Sequence, residues 1–530
     1  MQSGPEQQGR TIMLQGTASD VGKSLMTAAL CRIFTQDGYS VAPFKSQNMS
    51  LNSYVTWDGK EIGRAQGMQA DACGILATTD MNPILLKPSG EMRSQVVVHG
   101  KPLRDLNARE YRESYLPLAE GIVREALGRL RGSCEIVVLE GAGSPAEINL
   151  KDRDIVNMRM AAWAEAPVIL VADIDRGGVF ASIVGTLELL EQEERDRVCG
   201  FVINKFRGDV SLLQPGLDWL ERKTGKPVLG VIPYLPDLGL EDEDSLSLGK
   251  QLESAPAKPD SASGDVLDIA VVRLPRISNF TDLDPLRFEQ DVRLRFVEGP
   301  GQWGSPDAVI LPGSKNTAED LIWMKDNGLA DRMQAHLGAR GWTAGICGGY
   351  EMLGARLLDP LHVESESEVI EGFGVFPFEV TFAEEKRTER IEGFAQLTGD
   401  KASLPITGYE IHMGVVHDTD GDVSVHRPFR IRNEREGDAA DAVREYIPEG
   451  AAAPDGRIWG TFVHGILHND DFRRDWLNDI RESKGLRRLP AALRFQERRE
   501  QAFDRLAGHV RAHLNLSRIY ELLGLREEGT

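Results

Sequence analysis

Short apolar runs recur along the first 240 residues, each separated by a helix-length segment whose apolar positions return every three or four residues. The runs are TIMLQG, YSVAPFKS, CEIVVLEGAG, APVILVADID, VCGFVINKF and KPVLGVIPY. Each is apolar on both faces of an extended chain, as strands covered on both sides are. With helical segments between them, they predict a buried parallel sheet with crossover helices. From Glu241 the pattern stops. EDEDSLSLGKQLESAPAKPDSASGD is acidic, then rich in Ser, Ala and Pro, without a period, and reads as a linker. A second alternating set follows: LDIAVVRLP, VRLRFVEG, DAVILPGS, GWTAGICGG, GFGVFPFEV and RIWGTFVHG. After about Asp475 the chain is Arg- and Leu-rich with a helical pattern, its charge expected on a solvated face. The expected fold is α/β: two tandem domains, each a mainly parallel sheet with helices on both faces, plus a helical C-terminal tail. The expected bounds are 1–240, a linker at 241–265, 266–475, and the tail at 476–530.

Composition narrows the function classes. With 41% hydrophobic and 27% charged residues, the 530-residue chain has the make-up of an ordinary globular protein. A net charge of −21, from 82 acidic and 61 basic residues, argues against general binding to nucleic acid or an anionic membrane. Any anionic ligand has to be held by local groups. Cys31, Cys73, Cys134, Cys199 and Cys347 are scattered, with no paired spacing for a zinc ribbon or a disulfide framework. Free thiols, no apolar leader and no membrane-length apolar run lead to the expectation of a cytoplasmic protein. The sequence leaves the oligomeric state open, and a homo-oligomer is compatible with it.

The first strand runs into GTASDVGKS, Gly16 to Ser24, and then into the helical LMTAALCRIFTQDG. A strand, a glycine-rich loop and a helix opening on Lys-Ser make a phosphate cradle. Backbone N–H groups and the helix dipole hold the phosphates, Lys23 reaches the terminal ones, and the Ser24 hydroxyl ligates Mg²⁺. Gly16, Thr17, Asp20, Gly22, Lys23 and Ser24 are the resulting ATP-site candidates. The usual pattern places a glycine five residues before Gly22, at Thr17, whereas here it stands at Gly16. Glu140 ends a strand at the carboxyl edge of the sheet, where parallel sheets bind ligands, and is a metal-ligand candidate beside Ser24. Asp20 is another, with a helix N-cap as an equally weighted alternative.

The second set carries GICGGYEMLG, Gly345 to Gly354. Cys347 lies between a strand and a helix, flanked by glycines, as a nucleophile on a sharp turn requires. The helix N-terminus behind it is expected to favour the thiolate. A free cysteine is more often a core filler, so the assignment needs a base. GTFVHGILHND offers His464 at a strand end. The turn at Gly313-Ser314 offers a backbone N–H that, with that of Gly348, makes an oxyanion hole. In the first domain, PFKSQNMSLNS, GRAQGMQADAC and MNPILLKPSG are poor core material and are expected to line a site. Lys45 follows a strand and is placed to hold a substrate carboxylate or its phosphate. Gln47 and Asn48, with Gln66 and Gln69, supply amides for a large polar ligand.

These motifs carry a resemblance. The loop variant is similar to that of dethiobiotin synthetase and of the ATP-dependent amidoligases of corrinoid synthesis. It is more distantly similar to partitioning ATPases, whose early loop lysine is here Ala18. On that likeness Asn204 contacts the nucleotide base. With the three polar segments, the first domain resembles the cobyric acid synthase family. The cysteine, histidine and hole, together with GYEIHMG, resemble the class I glutamine amidotransferase domain of the corrinoid branch. The likeness spans about residues 10 to 480. It implies an ATP- and Mg²⁺-dependent, glutamine-hydrolysing carbon–nitrogen ligase of cobalamin biosynthesis. Its corrinoid substrate would be adenosylcobyrinic acid a,c-diamide, amidated at the b, d, e and g carboxylates. Cobyrinic acid a,c-diamide synthase has the same two domains and is the first alternative. A dethiobiotin synthetase-like ligase is another, and a nucleotide-switched partitioning module a third. Two departures stand out. Class I glutaminases usually carry a carboxylate two residues after the histidine, and here that position is Ile466, so a dyad oriented by another acceptor is expected. Glu351 stands where glutamine is usual.

Overall fold

The computed structural model describes residues 8–90, 93–107, 116–240, 265–419, 425–434 and 445–525. All but the last residue of the expected linker lies outside them. The described chain divides into two compact units, one within Met1–Ser50, Glu61–Leu240 and Arg499–Thr530, the other within Leu51–Lys60 and Glu241–Arg498.

In the first unit the six apolar runs become β1 (Arg10–Gly16), β2 (Val41–Phe44), β3 (Ile136–Glu140), β4 (Val168–Asp173), β5 (Val198–Phe206) and β6 (Val228–Pro233). They form one sheet in the order β6-β5-β4-β1-β3-β2, every neighbour parallel. All residues of β3 and β4 are buried, which is why these strands read as continuous apolar runs rather than alternating ones. Helix α1 (Lys23–Gln36) follows β1, and α2 (Arg64–Ala72) carries part of the second polar segment. The other polar segments enter a four-stranded, largely antiparallel sheet made by Gln47–Met49, Ile84–Gly90, Arg93–Val98 and Lys101–Asn107. The C-terminal helices are more than a solvated tail. Phe503, Leu506, Ala507 and Val510, at helical spacing, join the α1 residues Ile33 and Phe34 in the core of this unit. Tyr520 meets Phe34 edge-on at 5.6 Å.

The second unit has its own parallel sheet. Its strands are β7 (Leu267–Val272), β8 (Val292–Val297), β9 (Ala308–Leu311) and β10 (Trp342–Ile346), followed by the short helix α3 (Gly348–Met352). The long strands β11 (Phe378–Ala395) and β12 (Leu404–Asp418) come next, then β13 (Ile458–Thr461). The parallel order is β8-β7-β9-β10-β13, with Ala451–Ala452 antiparallel at the edge. The run GFGVFPFEV departs from expectation. Its strand β11 pairs antiparallel with β12 in a separate sheet, with buried positions alternating at its two ends, Phe378–Phe382 and Ile391–Ala395, around a polar and more exposed middle. The segment Leu51–Lys60 belongs to this unit, where the Ser53 N–H donates to Asn279 Oδ1 at 2.9 Å.

Candidate functional site

In the first unit, β1 ends at Gly16 and α1 begins at Lys23, so the loop occupies the carboxyl edge of the sheet. A Cβ at Gly16 would lie 2.7 Å from Val21 Cγ2 and 2.9 Å from Lys23 Nζ. Gly22, the helix N-cap, has φ 97°, and a Cβ there would meet Asn204 Nδ2 at 2.3 Å. The loop therefore takes glycine at both positions. Lys23 is buried, its Nζ donating to the carbonyls of Ala18 (3.1 Å) and Gly143 (3.2 Å). Ser24 Oγ donates to Glu140 Oε1 at 2.8 Å. The same Oε1 receives Lys45 Nζ at 3.1 Å, and Gln69 Nε2 donates to Oε2 at 2.6 Å. Glu140 thus gathers the loop serine, Lys45 and an amide of α2 around one buried carboxylate.

The remaining first-unit candidates take other places. Thr17 continues β1, its N–H donating to Val171 O at 3.0 Å. Asn204 donates to the Val21 carbonyl at 2.9 Å and so supports the loop from β5. Asp20 does not cap α1, since Gly22 holds that position; its half-exposed carboxylate pairs with Arg176 at 3.2 Å. Its carbonyl accepts from Lys205 Nζ, which also pairs with Asp173 at 2.9 Å. Asn48 donates to Gln66 Oε1 at 3.1 Å, one helical turn of α2 from Gln69, and Gln47 is half-buried on the same short strand.

In the second unit Cys347 follows β10 with φ 51° and ψ −110°, a conformation side-chain-bearing residues rarely adopt. Its N–H donates to Thr461 O of the adjacent β13 at 2.8 Å. The flanking glycines are required by contact. A Cβ would lie 2.8 Å from the Gly349 carbonyl oxygen at Gly345, 2.7 Å from Thr317 Oγ1 at Gly348, and 2.0 Å from the Leu311 carbonyl oxygen at Gly349. A Cβ at Gly348 would also meet the Ser314 backbone N at 3.0 Å, so the Gly313-Ser314 turn reaches the start of α3. Gly313 lies against the ring of His464, 3.0 Å from its Cε1 by the same measure.

Three residues past β13, His464 is fully buried. Its Nδ1 lies 2.6 Å from Asp282 Oδ2, and Tyr409 stacks on the ring with centroids 5.2 Å apart. Cys347 and His464 thus follow neighbouring parallel strands at one sheet edge. The helix behind Cys347 does not yield a ready thiolate. It spans only five residues, and burial, reinforced by Glu351, pushes the thiol well above its usual range despite the Gly348 N–H. Glu351 is itself buried, takes the Thr317 hydroxyl at 2.6 Å, and is raised by burial.

Comparison with known proteins is decisive. Residues 12–248 match the CobQ/CobB/MinD/ParA nucleotide binding domain, and residues 268–472 the CobB/CobQ-like glutamine amidotransferase domain. Cobyric acid synthase of Desulforamulus reducens is 52% identical over 525 residues, covering 98% of this chain and 99% of its own. That of Geobacillus sp. strain WCH70 is 52% identical, covering 96% and 97%. That of Sorangium cellulosum is 50% identical, covering 97% and 99%. The chain belongs to the cobyric acid synthase family. It is a ligase with a nucleotide-binding domain and a glutamine amidotransferase domain.

In this member of the cobyric acid synthase family, His464 has two partners that its own stretch of sequence does not show. Asp282 accepts at Nδ1 and also takes the Gly465 N–H at 2.8 Å. Asn279 Nδ2 lies 3.4 Å from His464 Nε2. Both sit in SNFTDLD, just past the carboxyl end of β7, and that position at a parallel sheet edge is the signal that could have found them. The acceptor expected in place of the missing local carboxylate is therefore a carboxylate from elsewhere in the unit.

Proposed function

We propose that the chain amidates the b, d, e and g carboxylates of adenosylcobyrinic acid a,c-diamide with nitrogen from glutamine, driven by ATP, to give cobyric acid. What carries the reading is that one chain holds both halves of the chemistry, a phosphate cradle around Lys23 and Ser24 and, following neighbouring parallel strands, a strained Cys347 and a His464–Asp282 pair. A carboxylate is inert to ammonia at neutral pH. It is first made an acyl phosphate, its oxygen forming a bond to the γ-phosphorus as ADP leaves. Lys23 neutralises charge on the transferring group. Ser24 and Glu140 present two hard oxygens 2.8 Å apart, a donor set that fits Mg²⁺ and would hold it against the nucleotide phosphates. No cluster of three or more His, Cys, Asp or Glu suited to a metal occurs among the described residues, so phosphate and water oxygens would complete its shell. Asp20, already paired with Arg176, is the weaker ligand candidate. Asn204 is proposed for the base, and Lys45, Gln47 and Asn48 for the corrinoid side chains.

At the other centre His464 takes the Cys347 proton as sulfur attacks the glutamine carboxamide. Asp282 holds the imidazole by Nδ1 and stabilises its charged form. The N–H groups at Gly348 and at the Gly313-Ser314 turn receive the oxyanion. His464 returns the proton to the leaving nitrogen, ammonia departs, and water cleaves the thioester to glutamate. Ammonia then attacks the acyl phosphate and phosphate leaves. No helix among the described residues is long and apolar enough to cross a membrane. A cytoplasmic setting, with ATP and reduced thiols, is part of the same proposal. The test is incubation with ATP, Mg²⁺, glutamine and each corrinoid acid, read by mass spectrometry. Four successive exchanges of hydroxyl for amide on the a,c-diamide are expected. Two exchanges on cobyrinic acid, and none on the diamide, would make the chain an a,c-diamide synthase instead.

A further inference from the structure

The GYEIHMG segment of β12 runs past the cysteine turn, and its histidine has no part in the chemistry above. Tyr409 and His464 exchange backbone hydrogen bonds at 3.2 and 2.8 Å. The next-but-one carbonyl, that of Ile411, accepts from Cys347 Sγ at 3.7 Å. The His412 ring lies face to face on Phe462, centroids 3.7 Å apart and planes 7° from parallel. Phe462 in turn follows Thr461, the backbone partner of Cys347. His412 Nδ1 is 2.8 Å from the Gly414 carbonyl oxygen. A carbonyl only accepts, so Nδ1 carries the hydrogen and Nε2 presents a lone pair. Nε2 is closed off from solvent and meets no hydrogen-bond donor among the described residues. A buried acceptor left without a donor calls for an explanation.

We propose that His412 Nε2 accepts an N–H of the ammonia released at Cys347 and hands the molecule on unprotonated; this rests on the glutaminase reading above. Ammonia carries three N–H donors and one lone pair. A hydrogen bond to Nε2 uses a donor and leaves the lone pair, the nucleophile, free. No bond is made or broken, and the ammonia leaves with its hydrogens. The imidazole must stay neutral, since an imidazolium would give up a proton and turn ammonia into inert ammonium. Burial, assisted by Arg387, His464 and Lys386 and opposed by the Gly414 carbonyl, pushes its pKa down to about 3. It is therefore an acceptor throughout the working range.

The experiment measures the ratio of glutamate formed to amide formed, with and without added ammonium. In the native protein the ratio is expected near one. In His412→Phe, which keeps the stacking ring and removes the acceptor, amide formation from glutamine should fall more than glutamate release, and the ratio should rise about fivefold or more. Added ammonium should restore amidation. His412→Gln, which supplies an acceptor oxygen, should bring the ratio back towards one. If His412→Phe does not fold, His412→Met is read in its place. An unchanged ratio in a folded variant overturns the proposal, as does a loss confined to KM for glutamine, which would make His412 a glutamine contact. A native protein that releases no glutamate would instead overturn the glutaminase reading itself.

Discussion

His464 Nδ1 lies 2.6 Å from Oδ2 of Asp282, a residue 182 positions earlier in the chain. The other carboxylate oxygen takes the Gly465 N–H at 2.8 Å, so Asp282 fixes both the ring and the backbone that carries it. With an acceptor on Nδ1, the hydrogen sits on that nitrogen and Nε2 is the basic one. This single contact orients the ring of His464 as the base role proposed for it requires.

Asp282→Asn tests that contact. An amide can present its NH₂ to Nδ1 and stabilise the wrong tautomer, while keeping the size of the side chain. Glutamate release should fall by about 10³- to 10⁴-fold, and ammonium-supported amidation should persist. Near-native glutamate release in this variant would reduce Asp282 to a packing residue.

The inner strands of both parallel sheets were legible because burial on two faces writes unbroken apolar runs, whereas the edge strand β8, VRLRFV, is interrupted by two arginines. The antiparallel pairing of β11 was not legible, since the strand's two apolar ends, Phe378–Phe382 and Ile391–Ala395, are separated by a polar middle that carries no apolar run. Cys347 could be singled out from the glycines around it, and contacts of 2.0 to 2.8 Å at Gly345, Gly348 and Gly349 give the reason they are glycines. Asp282 could not be paired with His464, because no local spacing links residues 182 apart. The thiolate expectation failed because a sequence shows a helix start but neither its five-residue length nor the desolvation of the sulfur. Lys45 read as a group facing substrate. Its partner Glu140, on a strand 95 residues away, becomes visible only when β2 and β3 lie side by side.

Glu140 serves three neighbours at once, so its two simplest variants should differ. Glu140→Ala removes the carboxylate paired with Lys45, whose side chain is 4% exposed, and removing one partner of a buried ion pair destabilises by about 3–5 kcal/mol. Glu140→Gln keeps the shape, and its smaller effect should be on metal use. We expect the Mg²⁺ concentration for half-maximal ATP-dependent amidation to rise about tenfold or more. Alkylation of Cys347 should be unaffected in the glutamine variant. An unaltered Mg²⁺ titration would leave Glu140 a purely structural partner of Lys45.

The buried Glu351 and the half-buried Glu364 set a pH dependence of stability. Burial pushes Glu351 up to about 7, against the Thr317 hydroxyl; it pushes Glu364 up to about 8, with Glu351 adding to the rise. Groups raised in the folded state hold their protons more tightly there than in the unfolded chain. Their stabilisation is fully present below the ordinary glutamate pKa, about 4.3, and is lost as pH rises through the folded values. The melting temperature at constant ionic strength should therefore fall from pH 6 to pH 9. Glu364→Gln, which cannot ionise, should flatten that fall. It would be flattened only in part, because Glu410 and Glu449 are raised by burial in the same direction. A variant that loses stability as steeply as the native protein would count against this origin.

The backbone at Cys347 makes a prediction of unusual sign. Glycine is ordinarily less stable than alanine, by roughly 0.5–1 kcal/mol within regular structure, through the entropy of the unfolded chain. At φ 51° and ψ −110° the order should reverse. That conformation mirrors an extended one, which glycine adopts freely and any residue with a Cβ adopts only under strain on the order of 1–3 kcal/mol. Cys347→Ala removes the thiol and keeps the strain, whereas Cys347→Gly removes both. Glycine should therefore match or exceed alanine by about 1 kcal/mol in denaturant unfolding at equal m-value. Both variants lack the sulfur and should lose glutamine-dependent amidation by several orders of magnitude, as when one member of a cooperating set is removed. Both should still amidate with ammonium at raised pH, because ammonia from solution bypasses the cysteine. Alanine more stable than glycine would mean that the turn is not strained in solution. Loss of the ammonium-supported reaction in a folded variant would show that Cys347 supports the synthetase reaction as well as the release of ammonia.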